Sequence, residues 1–151
     1  MISYLIIAAA LVGLDQWVKA WIIGHVALGQ TVGFIPGVVS LTHIKNTGAA
    51  FSILEGKQWF FYIITVVSLI IVGMLWRDAG KSRWYRLGLT LIVAGTLGNV
   101  IDRLRFQEVT DMFQLDFMNF AIFNVADACL TVGVLIVLVY LLFFDGKGAH
   151  R

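Results

Sequence analysis

Two aspartates, Asp111 and Asp127, are the residues of this chain best suited to acid–base chemistry. Asp127 closes the stretch Phe123-Asn124-Val125-Ala126-Asp127 and is followed at once by a long apolar run. Its carboxylate therefore stands at the edge of lipid, where an ionised group costs up to roughly 2.5–3.5 kcal/mol on insertion scales. Asp111 precedes it in Thr110-Asp111-Met112. Two carboxyl groups held together away from bulk water do not both ionise at neutral pH, so one keeps a proton. The charged member can then take a proton from water while the neutral member hydrogen-bonds a carbonyl, which is the chemistry of peptide-bond hydrolysis by a carboxyl pair.

Other polar residues are spaced to support such a pair. Asn99, Asp102 and Arg103 in Gly98-Asn99-Val100-Ile101-Asp102-Arg103 fall at i, i+3 and i+4, which predicts that all three leave one helix end in the same direction. Asp102 and Arg103 are expected to form an ion pair that orients the site, and Asn99 and Asn124 to donate to the carboxylates or to a bound peptide. Asp15 and Lys19, four residues apart, can pair on one helical face. Asn46-Thr47-Gly48-Ala49-Ala50-Phe51 joins an amide that donates and accepts to small residues, Gly48 among them, that allow close backbone approach. Each signal has a plainer explanation beside it: helix-end carboxylates in water, an ion pair that neutralises itself at the interface, a turn favoured by Asn. Glu108 and Asp116 read as solvated. The isolated His43 reads as an interfacial polar residue, and the lone Cys129 as a small packing residue inside an apolar helix.

The elements that must position these groups are membrane helices. Of 151 residues 60% are hydrophobic and 13% charged, against about 25% charged in soluble domains, and the net charge of +2 is too small and too scattered for nucleic acid. Four apolar spans are expected at about 4–23, 59–76, 87–101 and 124–144, each able or nearly able to cross a hydrocarbon layer of about 30 Å. The alternation Val39-Ser40-Leu41-Thr42-His43-Ile44-Lys45, after the turn residues Gly33, Pro36 and Gly37, predicts one or two short strands between the first two spans. The second span lacks ionisable residues and reads as scaffold. The segment from about Leu104 to Phe120 reads as a loop. The fold class is thus an all-α membrane protein of four transmembrane helices with a small extracytoplasmic β-element, in one domain spanning 1–151. Arg77, Lys81, Arg83 and Arg86 form the densest basic cluster, and Lys147 and Arg151 follow the last span. The positive-inside rule then places that loop and both termini in the cytoplasm and gathers Asp15, Lys19, Asn46, Asn99, Asp102, Arg103, Asp111, Asn124 and Asp127 at the outer leaflet.

With Asp15-Gln16-Trp17-Val18-Lys19, Asn46 to Phe51, Gly98 to Arg103 and Phe123 to Asp127 occurring in that order, the chain resembles the lipoprotein signal peptidase (signal peptidase II) family of bacterial membrane aspartic peptidases. The resemblance covers nearly the whole chain. It implies that Asp111 and Asp127 are catalytic and that Asp15, Lys19, Asn46, Asn99, Arg103 and Asn124 support them. Two departures are local: Val109-Thr110-Asp111-Met112 stands where the family often has Val-Val-Asp-Phe, and Ala94-Gly95 replaces frequent paired glycines. The resemblance also implies a prolipoprotein substrate whose Cys carries a diacylglyceryl group, cleavage on the amino side of that Cys, no metal or organic cofactor, and sensitivity to globomycin. Expected partners are that substrate, membrane lipid and a globomycin-type inhibitor, and the chain is expected to act as a monomer in the bacterial cytoplasmic membrane.

A second reading is a small transporter subunit in which the same acids carry protons or cations. Transporter sites commonly lie at the midplane between repeats, whereas here the acids gather at one edge and no repeat is evident. A non-catalytic assembly subunit, its polar groups holding helices together, is a third.

Overall fold

The computed structural model describes residues 1–49, 53–78 and 82–144. Four long helices dominate: α1 (Ile2–His25), α2 (Gln58–Asp78), α3 (Arg83–Phe106) and α4 (Val125–Phe143). All four are long and apolar enough to cross a membrane. Most of their large apolar side chains point outward, including Leu5, Trp17, Ile63, Ile70, Leu135 and Leu142. In water that would be a severe exposure of hydrocarbon; in a bilayer it is the face that lipid covers.

Helix α3 is the central element, packed against α1, α2 and most extensively α4. Close approach is made possible by small residues, because lipid supplies no hydrophobic drive between helices and packing must do the work. A Cβ added at Gly95 would overlap the Ala126 carbonyl oxygen, and one at Gly98 would come within 2.8 Å of Asp15 Oδ2. These two glycines let α3 meet the start of α4 and the acidic turn of α1.

Helix α3 is longer than its apolar pattern. It begins at Arg83, where the Ser82 hydroxyl accepts a hydrogen bond from Tyr85 N–H at 3.3 Å, and continues through Asp102 and Arg103 to Phe106, where Gln107 closes it in the left-handed region at φ 61°. The helix extends beyond the expected apolar span of 87–101 at both ends. Charges at both ends broke the hydropathy signal without breaking the helix.

Three short strands cap one end of the helices: β1 (Thr31–Ile35), β2 (Val39–Asn46) and β3 (Val109–Leu115), antiparallel in the order β1-β2-β3. The two strands between α1 and α2 are those expected. The third corrects the reading of residues 104–120 as a loop, since β3 pairs with β2 through Leu41↔Phe113, Ile44↔Asp111 and Asn46↔Val109. Asp111 is thus held on a strand buried over its first four residues. Behind the sheet, Met112 packs with Ile22 and Val26 at the end of α1. His43 is buried there rather than interfacial, its Nδ1 2.7 Å from the Val26 carbonyl oxygen. Glu108 and Asp116 are not merely solvated either. Glu108 pairs with Lys45 at 2.6 Å, and Asp116 accepts from the Ser40 hydroxyl at 3.0 Å. Cys129 is buried, as a packing residue would be.

Candidate active site

Asn124 organises the site because it ends an extended segment and begins α4. Its Oδ1 accepts from Asp127 N–H at 2.9 Å while the Asp127 carboxylate accepts from Asn124 N–H at 3.2 Å, so each residue caps the other across the first turn. This reciprocal cap aims Asp127 back toward the strand. The remaining amide nitrogen of Asn124, fully buried, donates to Asp111 Oδ1 at 2.7 Å and to Asn99 Oδ1 at 3.1 Å. One side chain therefore holds both aspartates.

Each aspartate receives a second amide. Asn46 Nδ2 donates to Asp111 Oδ2 at 2.9 Å, and Asn99 Nδ2 donates to Asp127 Oδ1 at 2.7 Å. Asn46 also makes the turn its residue type favours, with its Oδ1 accepting from Gly48 N–H at 2.9 Å. One side chain thus makes the turn and bonds Asp111 at the same time.

Behind the amides lies a buried ionic cluster. The Lys19 ammonium meets Asp15 at 2.7 Å and Asp102 at 3.0 Å, and its third contact is Asn99 Oδ1 at 3.3 Å. Because Asn99 Oδ1 faces Lys19 and Asn124, the Asn99 amide nitrogen is the end left to face Asp127. Asp15 Oδ1 accepts from Ala126 N–H at 2.9 Å, satisfying another donor at the start of α4. Gln16 closes the cluster by donating to Asp102 at 2.8 Å and to the Gly98 carbonyl at 3.2 Å. Its amide stands beside Asp15 in the sequence, and that adjacency is the signal by which Gln16 could have been included among the supporting residues.

One expectation fails. Asp102 and Arg103 do not pair with each other, because successive helical residues lie about 100° apart around the axis. Asp102 turns to Lys19 and Gln16. Arg103 turns to the opposite side, where its Nη2 donates to the Gly48 carbonyl at 3.0 Å and its guanidinium lies 4.2 Å from the centre of the Phe61 ring. Of the Asn46 to Phe51 stretch, Ala50 and Phe51 lie outside the described residues.

Asp111, Asp127, Asn46, Gly48, Asn99 and Arg103 all line one cleft of about 630 Å³, whose other walls are largely apolar and include Phe120, Ile122 and Leu130. That size is ordinary for a ligand site. Burial, and after it the charge of Asp127, push the Asp111 carboxyl from its usual 3.8 up to about 6, against hydrogen bonds from Asn46 and Asn124 and the charge of Lys19. The folded state thus holds a proton on Asp111 more tightly than the unfolded chain does. Stability from this group is fully present below about pH 4 and is lost as pH rises through about 6, a change of up to about 3 kcal/mol. Thermal unfolding of the purified protein in micelles should show Tm falling across that window, with a smaller fall in Asp111→Asn. An equal fall in the variant would assign the effect to another group.

Comparison with known proteins gives the family. The family model for signal peptidase (SPase) II matches residues 7–143. The chain belongs to the signal peptidase II family. Two relatives, each named lipoprotein signal peptidase, come from Lactiplantibacillus plantarum and Enterococcus faecalis. The first is 57% identical over 94% of this chain and 95% of its own, and the second 53% identical over 100% of this chain and 94% of its own. Among solved structures, a bacterial membrane enzyme determined by the in meso method at 2.3 Å superposes with a TM-score of 0.93 at 34% identity, covering 100% of this chain and 94% of that one. A second bacterial membrane enzyme, determined at 1.9 Å, gives 0.88 at 35% identity over 96% of each chain. This signal peptidase is accordingly a multi-pass bacterial membrane protein and an aspartic endopeptidase, and the transporter reading has no support.

Proposed function

We propose that Asp111 and Asp127 are the catalytic pair with which this signal peptidase releases the signal peptide from diacylglyceryl-modified prolipoproteins, cutting on the amino side of the lipidated Cys. The single observation that carries the assignment is the convergence of both carboxyl groups in one cleft, each supplied with two hydrogen-bond donors from neighbouring elements.

In this reading the ionised member of the pair takes a proton from a water molecule, and the resulting hydroxide attacks the carbonyl carbon of the residue before the Cys. The protonated member hydrogen-bonds the carbonyl oxygen as negative charge develops there. The tetrahedral intermediate then collapses. The C–N bond breaks, and a carboxyl proton passes to the leaving amine. Asn46, Asn99 and Asn124 hold the carboxyl groups in place. Arg103 stands on the cleft wall where peptide backbone would pass, and Asp15, Lys19 and Asp102 hold Asn99 and the start of α4. Water and two carboxyl groups complete the cycle, so no metal or organic cofactor enters it.

The cleft's apolar walls suit a substrate whose lipid keeps the scissile bond at the membrane surface. Arg77, Arg83 and Arg86 lie at the end of the bundle remote from the site, and the positive-inside rule puts that end in the cytoplasm. Both termini are then cytoplasmic, and the site opens toward the outer leaflet of the cytoplasmic membrane. Lys81, Lys147 and Arg151, which enter the same argument, lie outside the described residues. The chain acts as one domain and as a monomer, and a globomycin-type cyclic peptide would compete for the cleft.

The test is to incubate purified protein with a diacylglyceryl-modified precursor and with its unlipidated twin. Cleavage confined to the lipidated precursor is the expected result. Equal cleavage of the two would contradict the substrate assignment.

A further inference from the structure

We infer that Phe61, on α2, is a positioning residue for the reaction and acts through Arg103; the inference rests on the catalytic site proposed above. Helix α2 carries no Asp, Glu, Lys, Arg or His from Gln58 to Trp76 and reads in the sequence as scaffold, yet its first turns reach the site through two successive residues. Phe61 places its ring 4.2 Å from the Arg103 guanidinium carbon. Tyr62 donates its hydroxyl proton to the Arg103 carbonyl at 2.9 Å and accepts from Gln107 Nε2 at 3.1 Å. One residue thus holds the side chain of Arg103, and the next holds its backbone.

The ring matters because the guanidinium has few other anchors. Among the described residues its hydrogen bond is to the Gly48 carbonyl, and its buried Nε has no partner. An arginine so tethered would swing about Gly48 unless something occupied its flat face. A ring there holds it by shape and by attraction of the cation to the π-electrons. Arg103 in turn lines the cleft with both aspartates, so its positive charge faces the same space as theirs. Fixing the guanidinium therefore fixes the field under which the carboxyl pair shares its proton. A side chain that only filled space against lipid would have no such reach.

The experiment measures kcat/KM against pH on the diacylglyceryl-modified precursor for Phe61→Leu and Phe61→Trp, each alone and combined with Arg103→Gln. Phe61→Leu should lower kcat/KM by about three- to tenfold, in line with a partly buried cation–π contact. It should also move the acid limb of the profile to higher pH, since a displaced cation no longer favours the ionised carboxylate. Phe61→Trp, which keeps a ring beneath the guanidinium, should stay within about twofold of the parent. In the Arg103→Gln background, Phe61→Leu should add nothing. Wild-type behaviour of Phe61→Leu, a loss with an unmoved acid limb, or a loss of the same size in the Arg103→Gln background would each overturn the inference. Should Asp111→Asn or Asp127→Asn retain full turnover, the site assignment itself would fall, an outcome distinguishable from failure of the Phe61 inference alone.

Discussion

Asp127→Asn and Asp111→Asn should each give a folded, membrane-inserted protein whose turnover of the lipidated precursor falls about 10³- to 10⁴-fold, the scale of losing general acid–base catalysis by a residue that works as part of a unit. Asparagine keeps the shape of the side chain, so neither change opens a cavity. It cannot, however, accept from two amide donors as a carboxylate does. Asp127 takes bonds from Asn99 and from the Asn124 backbone, and Asp111 from Asn46 and Asn124, so each variant leaves one donor poorly matched. That mismatch costs about 1–3 kcal/mol of stability, not the fold. The rate loss has another cause: an amide neither takes a proton from water nor passes one on. Insertion is checked by yield and thermal unfolding in micelles, and turnover by release of the signal peptide. A variant that cuts within tenfold of the parent would remove its aspartate from the chemistry.

The second large effect concerns Lys19, which no substrate reaches. Its side chain is 4% exposed, and the ammonium directs its three contacts to Asp15, Asp102 and Asn99. Lys19→Met keeps the apolar stem and removes the charge, leaving two carboxylates buried without their cation, which costs about 3–5 kcal/mol. It also removes one of the two donors that hold Asn99 Oδ1, leaving Asn124 alone to keep that amide turned toward Asp127. Lys19→Met should therefore unfold at markedly lower temperature and lose activity as well. Adding Asp102→Asn should restore part of the stability, because one of the stranded charges disappears. Wild-type unfolding of Lys19→Met, or a further loss in the double variant, would show that the cluster is not held by this charge balance.

How much of this was legible in the chain depends on what kind of signal each feature leaves. Acidic residues abutting apolar runs are conspicuous, and so Asp15, Asp102 and Asp127 could be found and their common depth inferred. Asn99 and Asn124 were legible because each stands three residues before one of those acids, and Asn46 because small residues follow it. The third strand was not. Residues Val109–Met112 are buried on both faces, so the polar–apolar alternation that betrayed β2 is missing, and β3 is defined by its pairing with β2. The role of Arg103 was misread because adjacency along the chain suggested a pair with Asp102, although neighbouring residues of a helix face different ways. Its true neighbours, Gly48 and Phe61, come from segments far off in sequence. Helix α2 looked inert for a related reason: an aromatic ring beneath a cation leaves no mark in a span where aromatic residues at the ends are expected anyway.

The central claim is that Asp111 and Asp127 operate as one acid–base unit. Its most direct test is to measure kcat on the lipidated precursor for Asp111→Asn, Asp127→Asn and the double variant side by side. A shared function predicts three residual rates equal within about threefold, since removing either half already removes the whole. Losses that multiply in the double variant would show two independent contributions and contradict the account.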